Sequence, residues 1–139
     1  MTLDSKPTET QRDAAMLLGR ALMSALFIWS GFGKLVAPAA TKAYFVHLGV
    51  PAPDAAYIVT LLVELGVGIA LLLGFKTRLA AAVLGLWCVA TAITGHSNFA
   101  DPANQINFMK NIAMAGGLVF IALFGGGAFA IDRMGTLPK

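Results

Sequence analysis

The sequence predicts an all-α membrane protein, a bundle of four transmembrane helices with both termini in the cytoplasm. The chain has 139 residues, of which 58% are hydrophobic and 12% are charged. An ordinary soluble domain is ~45–50% apolar and ~25% charged. Four apolar segments, each near the ~20 residues that cross a bilayer as a helix, are separated by connections that carry polar residues or prolines. The composition leaves no length for a separate soluble catalytic domain.

The domain organisation follows from these segments. Residues 1–13 are a polar N-terminal tail, residues 14–131 a single transmembrane domain, and residues 132–139 a polar C-terminal tail. The predicted spans cover residues 14–35, 55–75, 79–94 and 108–129. Basic residues favour the cytoplasmic side of a membrane. Six basic residues lie in the two tails and the second turn: Lys6, Arg12, Lys76, Arg78, Arg133 and Lys139. Three lie on the opposite side of the predicted membrane: Lys34, Lys42 and Lys110.

Span one has one polar or small face. Side chains three or four positions apart share a face of a helix. That face carries Arg20, Ser24, Phe27, Gly31 and Lys34. The opposite side is apolar and suits lipid. After this span, residues 36–54 contain three prolines, and the stretch between the first two predicts a short amphipathic helix on the membrane surface.

Span two carries a carboxylate, Glu64, near its middle, on one face with Tyr57, Thr60 and Gly68. A charge at this depth costs ~3 kcal/mol on insertion scales, so a proton, a basic partner or a polar cavity must offset it. With a helical rise of ~1.5 Å per residue, Arg20 lies about 7 Å nearer the cytoplasmic end than Glu64. A long arginine side chain can cover that distance. We therefore predict a buried ion pair between Arg20 and Glu64.

Polar residues also collect at the outer ends of spans one, three and four. They provide cationic and amide donors and one group that titrates near neutral pH. Such a set suits an anionic or quinone-like ligand. The candidate ligand-binding residues are Lys34, His96, Asn107, Lys110 and Asn111, together with Tyr57 from the face of Glu64.

Other chemistries have little support in the sequence. His47 and His96 lack the paired spacing of a metal or haem site, so no metal is predicted. Cys88 is the only cysteine, which excludes an internal disulfide or a CxxC redox pair. The basic residues are scattered singly, unlike those of a nucleic-acid surface. No motif identifies a catalytic residue.

Four segments in order resemble the DoxX family of small bacterial inner-membrane proteins: GRALMSALFIWSGFGKL, HLGVP, LLVELGVGIALLLGFKTRLAA and FMKNIAMAGGLVFIALFGGGAFAID. The resemblance covers residues 18–132 and implies a multi-pass four-helix protein of the bacterial cytoplasmic membrane. Relatives of this type include a subunit of a thiosulfate:quinone oxidoreductase and membrane parts of oxidative-stress complexes. The family's matching polar positions are Arg20, Lys34, Glu64, Arg78, Lys110 and Asn111.

Three functions are compatible with these features. The first is a quinone- or small-ligand-binding subunit of a membrane oxidoreductase, which predicts a cavity lined by Arg20, Glu64, Lys34 and Asn111. The second is a structural or anchoring subunit without its own chemistry. The third is a small transporter, as a dimer, that uses Glu64 to exchange protons or cations. The expected partners are the lipid bilayer, a soluble or membrane redox enzyme and a second copy of the chain; nucleic acid is not among them.

Overall fold

The computed structural model describes residues 6–134, which fold into six helices joined by short connections. They are α1 (Glu9–Val36), α2 (Pro38–His47), α3 (Pro53–Leu73), α4 (Thr77–Gly95), α5 (Pro102–Phe124) and α6 (Ile131–Met134). The outermost parts of both predicted tails, residues 1–5 and 135–139, lie outside the described residues.

Within residues 6–134, four helices are long and apolar enough to cross a membrane: α1, α3, α4 and α5. The shortest has 19 residues, which corresponds to ~28 Å, close to the ~30 Å hydrocarbon core of a bilayer. Large apolar side chains such as Trp29, Leu86 and Phe120 are exposed on the outside of the bundle, as expected of side chains that face lipid. The predicted all-α membrane fold with four spanning helices is confirmed.

The helix ends show why two of the spans differ in extent from the sequence-based prediction. Helix α1 begins at Glu9, five residues before the predicted span, because Thr8 forms a capping box with Gln11 that supports an earlier start. Helix α5 begins at Pro102, six residues early, with the Asp101 side chain as its N-cap and proline at the first helical position. It ends at Phe124, five residues before the predicted end of the span, because the first of three glycines, Gly125, follows it and breaks the helix.

The helices pack in a defined order around a small core. Helices α4 and α5 form the most extensively packed pair, and α1 packs along α3. Phe27, Leu71, Leu84, Cys88 and Leu118 are buried between them. The predicted inward face of α1 is confirmed, since Arg20, Ser24, Phe27 and Gly31 are its buried residues.

The start of α1 and the segment that follows α5 lie at the same end of the bundle, called here the terminal end. The Asp13 carboxylate on α1 accepts a hydrogen bond of 2.9 Å from the Ala128 N–H, which follows α5. The Asp132 carboxylate on α6 accepts bonds from the N–H groups of Lys76 and Thr77 at 2.7 and 2.8 Å, at the start of α4. The opposite end, covered by α2, is called the α2 end. The cytoplasmic location of the termini stays a prediction from the basic residues.

Candidate functional site

Glu64 lies in a π-helical segment, Leu62–Val67, within α3. Its side chain is almost buried, and Lys34 on α1 reaches it with an N–O distance of 2.7 Å. The same Lys34 ammonium donates to the Ser30 hydroxyl at 2.7 Å. Trp87 on α4 directs its indole N–H at the other carboxylate oxygen over 3.4 Å. The basic partner that Glu64 requires is therefore Lys34 of α1. Ser30 of the same helix and Trp87 of α4 bond to the two members of this pair.

The predicted Arg20–Glu64 pair is wrong. Arg20 is also buried, but its two terminal nitrogens donate to the carbonyl oxygens of Gly126 and Phe129, each over 3.2 Å. The acidic residue that attracts its charge is Asp132, at the terminal end. Arg20 thus holds the segment that follows α5, and it does not line the cavity beside Glu64.

The position of α1 along the axis of α3 explains why Glu64 pairs with Lys34 and not with Arg20. A Cβ atom on Gly31 would lie 3.0 Å from that of Glu64, while Gly74 faces the Arg20 guanidinium. Arg20 is therefore level with a position ten residues beyond Glu64, ~15 Å away along the helix. The prediction placed the start of span one level with the end of span two. Instead, the first turns of α1 extend past the end of α3 and contact the segment after α5.

The Lys34–Glu64 pair borders a cavity of about 570 Å³ at the α2 end of the bundle. Apolar and aromatic side chains of α1, α3, α4 and α5 form most of its wall, and Cys88, Thr60 and Thr91 lie among them. Small-molecule sites in proteins are usually cavities of ~300–1,000 Å³ with apolar walls and a few placed polar groups. The Glu64 cavity has these properties.

Helix α2 and the turn after it cover this cavity. Tyr44 and Phe45 line it from α2, followed by Leu48, Val50 and Pro51 from the turn. The Tyr44 hydroxyl lies 3.4 Å from the carbonyl oxygen of Gly95, at the end of α4. The predicted short helix between the prolines is therefore present, and it forms one side of the cavity.

The structure brings together four of the six predicted ligand-binding residues. Lys34, His96, Lys110 and Asn111 all line the Glu64 cavity. The other two lie beside it. The Tyr57 hydroxyl donates to the carbonyl oxygen of Lys34 over 3.3 Å, and the Asn107 side chain accepts a bond of 3.0 Å from the ammonium of Lys110.

The site can both donate and accept hydrogen bonds. An ammonium has three N–H donors, and Lys34 uses two of them, on Ser30 and Glu64. One carboxylate oxygen of Glu64 has only the long bond from Trp87. A third N–H group and lone pairs on that oxygen are consequently available to a ligand.

Sequence reasoning missed Trp87 and Ser30 as partners of the charged pair. Trp87 lies within span three of the sequence, but its proximity to Glu64 depends on how α4 packs against α3. Ser30 was detectable, because it lies four residues before Lys34 in the same helix, a spacing at which side chains meet.

The fold and the site define a small four-helix membrane protein with a buried lysine–glutamate pair beside a covered cavity. The chain matches the DoxX family over residues 15–97. Inner membrane protein YqjF of Escherichia coli (strain K12) is 40% identical over 122 residues, 88% of this chain and 92% of that relative. Inner membrane protein YphA of the same organism is 34% identical over 127 residues, 88% of this chain and 91% of that relative.

The chain belongs to the DoxX family and is a multi-pass protein of the bacterial inner membrane, as the sequence predicted. No solved structure matches it.

Proposed function

We propose that the protein binds a quinone or a similar small ligand in the Glu64 cavity and serves as the ligand-binding subunit of a membrane oxidoreductase. The observation that carries this proposal is the Lys34–Glu64 pair at the wall of an otherwise largely apolar cavity. A quinone ring is apolar on its faces and has two carbonyl oxygens. The free N–H of Lys34 suits such a carbonyl, and the Glu64 oxygen suits the hydroxyl of the reduced quinol.

The position of the cavity supports the same ligand class. It lies between membrane-spanning helices, so a ligand dissolved in the bilayer can approach without crossing water. Cys88 is the only cysteine, so the chain cannot form an internal disulfide that would pass electrons to a quinone. We therefore assign the electron donor to a partner enzyme.

The experiment is to extract the bound small molecules from the purified protein and to measure quinone among them by mass spectrometry. We expect stoichiometric quinone in the wild type and its loss in Glu64→Gln, because the carboxylate positions both Lys34 and the ligand hydroxyl. The matched control is Asp54→Asn, the same chemical change in the exposed pair with Lys42, which should keep its quinone. Ala56→Phe, which fills the cavity without changing charge, should also lose it.

A folded wild type without quinone would contradict the proposal. It would favour an anchoring subunit, for which the structure offers one observation: Lys34–Glu64 links α1 to α3 and so fixes their relative position. Co-purification of an enzyme with both the wild type and Glu64→Gln would then support the anchoring role. Transport through Glu64 has less support, because Lys34 already neutralises the carboxylate.

A further inference from the structure

A second cavity, called here the basic chamber, lies at the terminal end of the bundle, opposite the Glu64 cavity. It measures about 700 Å³ and lies between the start of α1, the turn into α4 and the glycine segment that follows α5. Four basic and two acidic residues line it: Arg12, Lys76, Arg78 and Arg133, with Asp13 and Asp132. The chamber therefore has a formal charge of +2 at the level where the helices leave the membrane.

The two acidic residues of the chamber are already engaged by the protein. The Asp13 carboxylate accepts from the Ala128 N–H. Both oxygens of Asp132 accept bonds, from the N–H groups of Lys76 and Thr77 and from the Thr77 hydroxyl. The guanidinium groups of Arg12 and Arg78, by contrast, form no ion pair with a carboxylate in the part of the chain that the structure describes.

An apolar groove continues from the basic chamber towards the middle of the membrane. It has a volume of about 350 Å³, runs between α1 and α5, and shares Met16, Phe124 and Gly125 with the chamber. Its wall includes Gly19 of α1, where an added Cβ would meet no atom within 4 Å. The small residue thus leaves open space beside the chamber, at a level that lipid chains occupy.

We propose that the basic chamber and this groove together bind an anionic phospholipid. Arg12 and Arg78 would hold the phosphate, because guanidinium groups match the geometry of phosphate oxygens. One acyl chain would lie in the groove between α1 and α5. The joined charged and apolar surfaces select a lipid over a free anion, and the positive charge selects an anionic headgroup over a zwitterionic one.

Native mass spectrometry of the detergent-solubilised protein tests the headgroup site. Dioleoyl phosphatidylglycerol and dioleoyl phosphatidylcholine are titrated separately. We expect the wild type to bind the anionic lipid more tightly, and Arg78→Gln to weaken this binding about fivefold, the effect of one basic residue near an anionic membrane surface. Lys42→Gln, which removes the same charge at the α2 end, should bind like the wild type. Circular dichroism verifies folding, and Arg12→Gln replaces Arg78→Gln if that variant does not fold.

A separate variant tests whether the groove holds an acyl chain. Gly19→Leu should fill the groove and weaken binding of dioleoyl phosphatidylglycerol, but leave the short-chain dihexanoyl lipid unaffected. Equal affinity of the wild type for the two dioleoyl lipids would overturn the proposal, as would folded arginine variants that bind like the wild type. If inorganic phosphate displaced dioleoyl phosphatidylglycerol completely and Gly19→Leu did not weaken lipid binding, the chamber would be a site for anions only. That result would overturn the lipid assignment.

Discussion

At the scale of single residues, the two buried charged residues within the described part of the chain, Glu64 and Arg20, have different roles. Glu64 is neutralised by Lys34 within the membrane-spanning part, beside a cavity. Arg20 is held by two backbone carbonyl oxygens and by the attraction of Asp132. Each charge thus has local compensation, as a low-dielectric environment requires. The first charge is available to a ligand, whereas the second organises the terminal end.

We predict that Lys34→Met destabilises the protein more than the double change Lys34→Met with Glu64→Gln. The single change leaves a buried carboxylate without its cation, which costs ~3–5 kcal/mol in a fully buried pair. Lys34 retains 26% side-chain exposure, so about 2 kcal/mol is expected for this pair. The measurement is the free energy of unfolding in a denaturing detergent series.

The same double-mutant cycle on Lys42 and Asp54 is the control for the buried pair. That pair has an N–O distance of 2.6 Å but is exposed, and exposed pairs contribute ~0–1 kcal/mol. If the Lys34 variant and its double variant were equally stable, Glu64 would not depend on Lys34 in the folded protein.

At the scale of helices, the contact between α1 and α3 depends on a glycine. A Cβ atom on Gly31 would lie 2.8 Å from the Leu65 side chain and 3.0 Å from Cβ of Glu64. The same atom on Gly33, two residues later, would have no neighbour within 4 Å. Two glycines of one helix therefore have different roles: the first allows the helices to approach where Glu64 lies, and the second faces away from them.

Gly31→Ala is accordingly expected to destabilise the protein by ~1–3 kcal/mol, the usual cost of overpacking, and to displace Glu64 from Lys34. Gly33→Ala should be neutral or stabilise by up to ~1 kcal/mol, because alanine has the higher helix propensity. Thermal unfolding of the two variants in one detergent measures the difference. Equal effects would mean that the helices do not approach closely at Gly31.

The junction of α4 and α6 predicts a pH dependence of stability. Burial raises the pKa of Asp132, but the Thr77 hydroxyl and the N–H groups of Thr77 and Lys76 bond to its carboxylate, and the Arg20 charge attracts it, so the net pKa is lowered. A folded pKa below the unfolded ~3.9 means that the stabilisation is complete above about pH 4. It is lost as the pH falls through the folded pKa.

The thermal midpoints of wild type and Asp132→Asn, compared from pH 7 to pH 3, test this dependence. The wild type should be more stable at pH 7, by about 1 kcal/mol as for a helix cap, and the difference should vanish in acid. Thr77→Val removes one of the donors and should move the loss of stability to higher pH. A difference that persists unchanged to pH 3 would contradict the role of the ionised carboxylate.

At the scale of the whole molecule, the bundle has two ends with different chemistry. The α2 end contains the Glu64 cavity, and the terminal end contains the basic chamber together with the start of α1 and helix α6. The positions of the basic residues predict that the terminal end faces the cytoplasm. In that predicted orientation the Glu64 cavity would lie in the outer half of the membrane.

Cysteine labelling tests this orientation. In a Cys88→Ala background, single cysteines replace the exposed residues Thr10 and Met134 at the terminal end and Asn98 between α4 and α5. A membrane-impermeant maleimide added to intact spheroplasts should label position 98 only, and all three positions after permeabilisation. Labelling of positions 10 and 134 in intact spheroplasts would show the opposite orientation.

The sequence alone determined the fold class, the number of spans and the identity of most polar residues in the candidate site. These depend on properties that act along the chain, since each span must be long and apolar and its polar face recurs at the helical period. The need for a partner at Glu64 could also be predicted, because an isolated charge within the membrane is costly.

Only the tertiary structure decided which residues meet. Lys34 and not Arg20 neutralises Glu64 because α1 extends past α3 at the terminal end, and this relative height depends on the Gly31 contact and on the bonds of Asp13 and Arg20. The approach of Trp87 depends likewise on the packing of α4 against α3. Helical periodicity fixes the direction of a side chain around its own axis, but it does not fix how far one helix is displaced along another.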